Sequence, residues 1–370
     1  MSQPLKFIPS TGSLFYATIR TRVDDLFADQ QLSKHANAAM WAKTIFFLTG
    51  LLGIYLLIIL NIFSPAIMLI LAVLLGMFSA FVGFNVCHDA IHKAFSSNNT
   101  VNQFFSFTFN LLGANPYVWS ITHNVVHHTY TNIPGHDEDI EIAPGLIRIA
   151  QEDEINTIQR FQHWYAFPLY SMASLSWVFR KDFKKFFQQQ IGAKKSKHPK
   201  MEYFKLFFYK ALYYFLFIAL PLMILDVSWW QFMIGFIALH MAQGLTMGLV
   251  FQLAHVVEGT TFPAPNAKGN IEESWAEHQM RTTANFATHS RLAAFFLGGL
   301  NRQIEHHLFP KICHIHYGKI SRIVKQTAME FNLPYNENKT FLAALRSHYI
   351  ILKKFSIEAK LNQPILGQQI

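Results

Sequence analysis

The chain has 370 residues, of which 51% are hydrophobic and 14% charged, with 36 Phe and a formal net charge of +9. A charged fraction so far below the roughly 25% of soluble domains excludes an ordinary soluble enzyme and indicates a protein embedded in lipid. The basic residues flank apolar runs and build no recognisable binding module, so anionic lipid or an anionic ligand is the expected partner and nucleic acid is not.

Residues 1–43 are polar, unlike a cleavable secretion signal, and read as a cytoplasmic or interfacial lead-in anchored near Trp41. Residues 44–63 and 66–86 carry no charge and are separated by Ser64-Pro65, which predicts a tight transmembrane hairpin. The second span runs directly into Cys87-His88-Asp89. Cys87 and Cys313 are the only cysteines and suit reduced thiols, since two such residues make neither a disulfide framework nor a C-x-x-C site.

The apolar stretches 104–114 and 164–179 are short, and helices lying at the interface are expected there. An acidic run over 137–141 and a basic run over 181–200 follow the second histidine cluster. A second hairpin is predicted from spans at 206–225 and 229–254, closed by His255. Lys and Arg fall within 1–43, 87–210 and 256–370 and are missing from 44–86 and 211–267, which places the three basic segments on one side, the cytoplasmic one by the positive-inside rule. The predicted fold is all-α: an integral-membrane four-span bundle of two hairpins, with a cytoplasmic helical cap from 87–205 and 255–370, the whole of 44–370 being one domain.

Three histidine groups punctuate this plan. His88 and His92 lie four apart, as do His123 and His127, with His128 adjacent; on a helix such pairs share a face. His306 and His307 follow Gln303 by three and four residues, so all three converge if that stretch is helical. With His255, eight histidines meet at one depth on one side of the membrane. Eight imidazoles exceed the needs of one zinc ion, whereas two open-sited transition ions would use them all. No H-E-x-x-H motif marks a zinc protease, and imidazole-rich ligation suits iron among other metals. A haem is disfavoured because His240, the one histidine inside a span, lies 15 residues or roughly 22 Å from His255 and reads as a packed polar residue.

The segments His88-Asp89-Ala90-Ile91-His92, His123 to Asn132 (H-N-V-V-H-H-T-Y-T-N) and Gln303 to Pro310 (Q-I-E-H-H-L-F-P) resemble the three histidine boxes of membrane fatty-acid desaturases, specifically the front-end type with Gln opening the third box. The resemblance implies a non-haem di-iron centre that uses O2 to remove two hydrogens from an acyl chain, carried as acyl-CoA or on a lipid. It assigns His88, His92, His123, His127, His128, His306 and His307 as iron ligands and His255 as a further one. Gln303 stands where many relatives carry histidine, and a contact to iron through water is expected. Asp89, Glu305, Asp137 and Asp139 are expected behind the imidazoles, and Trp275, His278, Gln279, Thr283 and Asn285 in the substrate pocket. A fused haem motif H-P-G-G is missing, since His198-Pro199 continues as Lys200-Met201. Electrons are therefore expected from a separate ferredoxin, rubredoxin or cytochrome b5, in what reads as a multi-pass protein of a bacterial inner membrane.

The chemistry agrees with the resemblance. An unactivated methylene C–H is too weakly acidic for general-base catalysis, so a cofactor must carry the oxidation. A di-iron hydroxylase is the nearest alternative, and a metal carrier or transporter using the histidines for ion passage is the alternative of a different class.

Overall fold

Four helices of the computed structural model, Ala38–Ile59, Pro65–Ile91, Lys200–Ile224 and Trp229–His255, are long and apolar enough to cross a bilayer. The structure describes residues 5–8, 14–151, 153–191, 194–195 and 197–361. Local chemistry fixes where the spans begin. The Asn37 side chain accepts from the Met40 N–H, Pro65 opens the second span behind Ser64, and Ser228 with Gln231 forms a capping box ahead of the fourth. The two short outer turns touch, the Asp226 N–H donating to Asn61 Oδ1 at 3.2 Å.

The second and fourth spans cross through small residues. A Cβ added at Gly76 would stand 2.0 Å from the Leu239 carbonyl oxygen. Further along the fourth span, Gly244 and Gly248 admit the helix Gln162–Ser171, where an added Cβ would meet the Ser171 carbonyl at 2.2 Å and Tyr170 Cβ at 2.9 Å. Close backbone approach of this kind maximises dispersion contact where lipid offers no hydrophobic drive. His240 sits buried at this level, its ring within 2.8 Å of Ser174 Oγ and 3.2 Å of the Tyr213 hydroxyl, a packed polar residue as its sequence position predicts.

The short apolar stretches become the helix Asn99–Leu111 and a run of helical segments from Gln162 to Phe187, kinked at Met172. The latter is pinned by a buried ion pair, Lys210 Nζ to Asp182 Oδ2 at 2.9 Å, with Asp182 also accepting from Trp177 Nε1 and the Asn115 N–H. Cys87 and Cys313 are free and buried.

The N-terminal segment does more than the interfacial lead-in its polarity suggests. Helix Phe15–Asp29 buries Phe15, Ile19, Val23 and Phe27 against Ile304, Leu308, Ile320 and Val324, and so belongs to the cap's core beside the third histidine group. Its apolar residues recur every four positions, which is the signal of a one-sided helix. Strand Lys6–Phe7 pairs in parallel with Asn270–Ile271.

The glycine crossing yields a test. Gly76→Val should lower the thermal midpoint and yield of detergent-solubilised protein, as overpacking costs about 1–3 kcal/mol or more. Gly53→Ala, with nothing within 4 Å of an added Cβ, should leave both unchanged or slightly raised. Equal midpoints for Gly76→Val and wild type would show that the spans do not cross here.

Candidate metal centre

Each histidine group rests on a helix whose winding or position is unusual. The second span changes to a π-helical turn over Gly83–Cys87 immediately before His88. A second π-helical stretch, Ser120–His127, carries His123 and His127. With i→i+5 bonding, residues four and five apart share a face, so both His127 and His128 stay beside His123, at ring-centroid distances of 4.9 Å each. His255 is the last residue of the fourth span, and helix Gln303–Leu308 carries His306 and His307. Gln303 opens that helix, buried, one turn before them.

The eight imidazoles converge. Candidate ligand atoms of His88, His92, His123 and His306 lie within 4.8 Å of one another, as do those of His127, His255 and His307, while His128 groups with His306 and His307. Every one of the eight is buried, and each leaves its Nε2 without a hydrogen-bond partner. The far side of the rings explains why. His127 Nδ1 meets Asp137 Oδ2 at 2.8 Å, His123 Nδ1 meets Asp139 Oδ2 at 3.3 Å, His307 Nδ1 meets Gln279 Oε1 at 2.7 Å, and His255 Nδ1 meets the Thr282 carbonyl at 3.3 Å. All four partners only accept, so Nδ1 carries the proton and Nε2 presents a lone pair to the shared space. His306 Nδ1 lies 3.1 Å from the Tyr317 hydroxyl. Buried lone pairs without donors, gathered at one point and oriented from behind, fit metal ions.

Electrostatics hold the rings in the ligating form. Burial, reinforced by repulsion from neighbouring imidazoles, keeps His92, His123, His128, His306 and His307 well below the ordinary histidine range, hence neutral. For His127 burial acts downward too, but the Asp137 carboxylate outweighs it and raises the ring, while His127 and the Asn132 N–H hold Asp137 below the usual carboxylate range against its own burial.

Several supporting residues differ from the sequence expectation. Asp89 accepts from His314 Nδ1 at 2.8 Å and from the His314 N–H, and stands 3.7 Å from His88 Nδ1. The Glu305 carboxylate reaches Asn285 Nδ2 and the Tyr335 hydroxyl, not an imidazole, because it points away from the cluster toward the chain at 285 and 335. The residues expected to line the substrate pocket are hydrogen-bonded to the chain that carries the rings. Trp275 Nε1 donates to the His128 carbonyl, His278 Nε2 to the Thr131 carbonyl, and Thr283 Oγ1 to the Gln279 carbonyl, while Asn285 Oδ1 accepts from the Ile304 N–H. His278 and Gln279 of the helix Trp275–Thr282, and Thr283 and Asn285 just beyond it, are buried behind the histidine cluster, while Trp275 is half-buried. His314, Tyr317 and Thr131 are absent from the sequence-derived set; the run Cys313 to Tyr317 just beyond the third box is dense in polar rings, but no spacing ties them to His88 or His306.

A family model for fatty acid desaturases matches residues 63–339. The chain belongs to the fatty acid desaturase family. It is 36% identical to an sn-1 linoleoyl-lipid 6-desaturase of Synechocystis sp., with 94% of this chain and 96% of that protein covered. An acyl-lipid (8-3)-desaturase of Physcomitrium patens is 33% identical over 95% of this chain and 74% of its own length, and an sn-1 linoleoyl-lipid 6-desaturase of Arthrospira platensis 33% identical over 93% of both. The histidine cluster of this desaturase fits a non-haem di-iron centre.

Beside the cluster, Trp119 stacks on His123 at 4.1 Å and 17°. A cleft of about 70 Å³ between Trp119, Trp177, Met247 and Phe251 leads from there, and a narrow void shares Trp177 and Met247 with it and continues to Ser79, Gly83 and Gln243. The cleft is apolar on the side of Trp119, Trp177, Met247 and Phe251 and charged on the side of Asp139, Glu141 and Lys181.

The carboxylate behind His127 is testable. Asp137→Asn presents an amide to Nδ1 and should weaken metal retention about tenfold to a hundredfold, whereas Glu305→Gln, remote from the rings, should retain the wild-type metal content. Chelator titration followed by elemental analysis measures both; equal retention in Asp137→Asn would show that this carboxylate does not hold the ligand.

Proposed function

We propose that this desaturase introduces a cis double bond into the acyl chain of a membrane lipid, between an existing double bond and the carboxyl end, using two iron ions, O2 and electrons from a separate ferredoxin, rubredoxin or cytochrome b5. The observation that carries the reading is the set of eight buried imidazoles with unpartnered Nε2 atoms. Relatives named as linoleoyl-lipid and acyl-lipid desaturases support the lipid-linked carrier and the front-end position. The positive-inside distribution of Lys and Arg supports a cytoplasmic cap, and its basic surface suits an acidic electron donor.

In this reading His88, His92, His123 and His306 hold one ion, His127, His255 and His307 the other, and His128 stands at the seam. Two bound irons supply the O2-dependent oxidation of an unactivated methylene, for which no side chain here has the reactivity. The chain's own contributions are three. Asp137, Asp139, Gln279 and the Thr282 carbonyl keep protons on Nδ1 so that Nε2 remains a ligand. The apolar side of the cleft, Trp119, Trp177, Met247 and Phe251, positions the methylenes beside His123. Gln303, buried one turn before His306, reaches the metal through water.

His127→Ala or His306→Ala should abolish product while the protein still inserts in the membrane, judged in a host fed defined fatty acids by mass spectrometry of double-bond positions in each lipid. Normal activity of either variant would remove that residue from the ligand set, and a hydroxylated product would reassign the reaction. Gln303→Ala should keep both irons yet lower turnover about tenfold, and Gln303→His should restore it; loss of an iron in Gln303→Ala would make the glutamine a direct ligand.

A further inference from the structure

Lys43 lies in the second turn of the first span, Ala38–Ile59. A lysine near the end of a span ordinarily runs its stem along the helix and keeps its head in water. Lys43 turns inward instead and is only 6% exposed. Its ammonium donates to the Ala294 carbonyl at 3.2 Å and to His314 Nε2 at 3.0 Å, and stands 5.3 Å from the centre of the Phe295 ring. The carboxylate that balances this charge is reached through the imidazole. His314 Nδ1 donates to Asp89 Oδ2 at 2.8 Å, and the His314 N–H donates to the same oxygen at 3.1 Å.

These contacts have one polarity. An ammonium only donates and a carboxylate only accepts, so His314 carries its proton on Nδ1 and links the two charges as a neutral ring. Asp89 Oδ1 then faces His88 Nδ1 at 3.7 Å. His88 is buried with no hydrogen bond on either ring nitrogen, whereas His123 and His306 of the same ligand group each have a partner at Nδ1. Ligand-type atoms of Asp89, Cys313 and His314 also lie within 4.8 Å of one another. Both nitrogens of His314 are engaged, however, and an ammonium adjoins one of them, so this group is a charge clamp and not a third metal position.

The clamp brackets two histidine boxes. Ala294 belongs to the helix Arg291–Phe296 ahead of the third box, His314 follows that box, and Asp89 follows His88 in the first. The rings of His88 and His306, drawn from those two boxes, lie 4.5 Å apart and share one ligand group. The other group is braced differently. His127, His255 and His307 meet Asp137, the Thr282 carbonyl and Gln279, none of which touches Lys43 or His314. Removing the ammonium therefore bears on one ligand group alone, and it leaves a buried carboxylate without its counter-charge.

We propose that Lys43, acting through His314, is a positioning residue that holds Asp89 as the acceptor for His88 Nδ1 and so secures the ion bound by His88, His92, His123 and His306. The inference rests on the two-metal reading given above. Its test titrates the purified, iron-loaded full chain with chelator and follows the iron that remains by elemental analysis and Mössbauer spectroscopy, which needs no turnover. Lys43→Met should release one iron at a chelator concentration about tenfold to a hundredfold below that needed for wild type, and the other iron where wild type does. His314→Asn, whose amide can still meet Asp89 but not Lys43, should do the same, and carries the test alone if Lys43→Met does not accumulate. The double variant should be no weaker than either single one, as residues that act as a unit require. Lys210→Met breaks the buried pair with Asp182 and should lower the thermal midpoint while both irons are retained, which separates lost stability from lost positioning. Equal weakening of both irons, wild-type retention in both variants, or additive losses would overturn the positioning role and leave the two-metal reading standing. A wild type that holds one iron or none would overturn the two-metal reading, and this inference with it.

Discussion

Eight imidazole nitrogens buried around one space, each without a protein donor, set the terms for the rest of the molecule. An unsatisfied buried polar atom costs about 1–3 kcal/mol, so a cluster of them is strongly unfavourable unless something occupies the space. Acceptors behind His123, His127, His255 and His307 fix the tautomers of those rings, and the π-helical stretch Ser120–His127 keeps His127 and His128 both beside His123. The cap is the apparatus for this: Gln279 and Thr282 of the helix Trp275–Thr282 reach His307 and His255, and Tyr317 of a later helix reaches His306.

The support is divided evenly. His123 belongs to one ligand group and His127 to the other, and these are the two rings backed by carboxylates of the acidic run 137–141. The remaining contacts behind the rings are a neutral amide, a phenol and a carbonyl, with the Asp89 carboxylate 3.7 Å from His88 Nδ1. The second histidine box thus places one carboxylate-backed imidazole in each ligand group. Asn132, in a left-handed conformation, extends this junction by donating to the carbonyls of His255 and Thr282, which locks the end of the fourth span to the second box.

Much of this was legible in the chain. Uncharged runs ending in Ser64-Pro65 and Asp226 to Ser228 mark two hairpins because hydrocarbon tolerates little else, and the four-residue spacings of the histidines mark their common side. The π-helical turns were not legible: nothing in Gly83 to Cys87 differs in composition from an ordinary helix, and the winding is imposed by packing. The hydrogen bonds of Trp275, Gln279 and Asn285 were not legible for a related reason. A buried polar residue near a site is equally compatible with lining a pocket or bracing its wall, and only the direction of the side chain decides. His314 and Lys43 show the limit most clearly, since their contact at 3.0 Å joins positions 271 residues apart and leaves no local trace.

The docking of helix Phe15–Asp29 against the segment that follows the third histidine box has a consequence for biogenesis. Arg22 reaches Thr327 across 305 residues, and His88 shares its ligand group with His306. The earliest and latest parts of the polypeptide must therefore both be outside the ribosome, with all four spans already inserted, before the cluster has its full set of donors. The full set of imidazoles thus exists only once residues 88 to 307 are folded together.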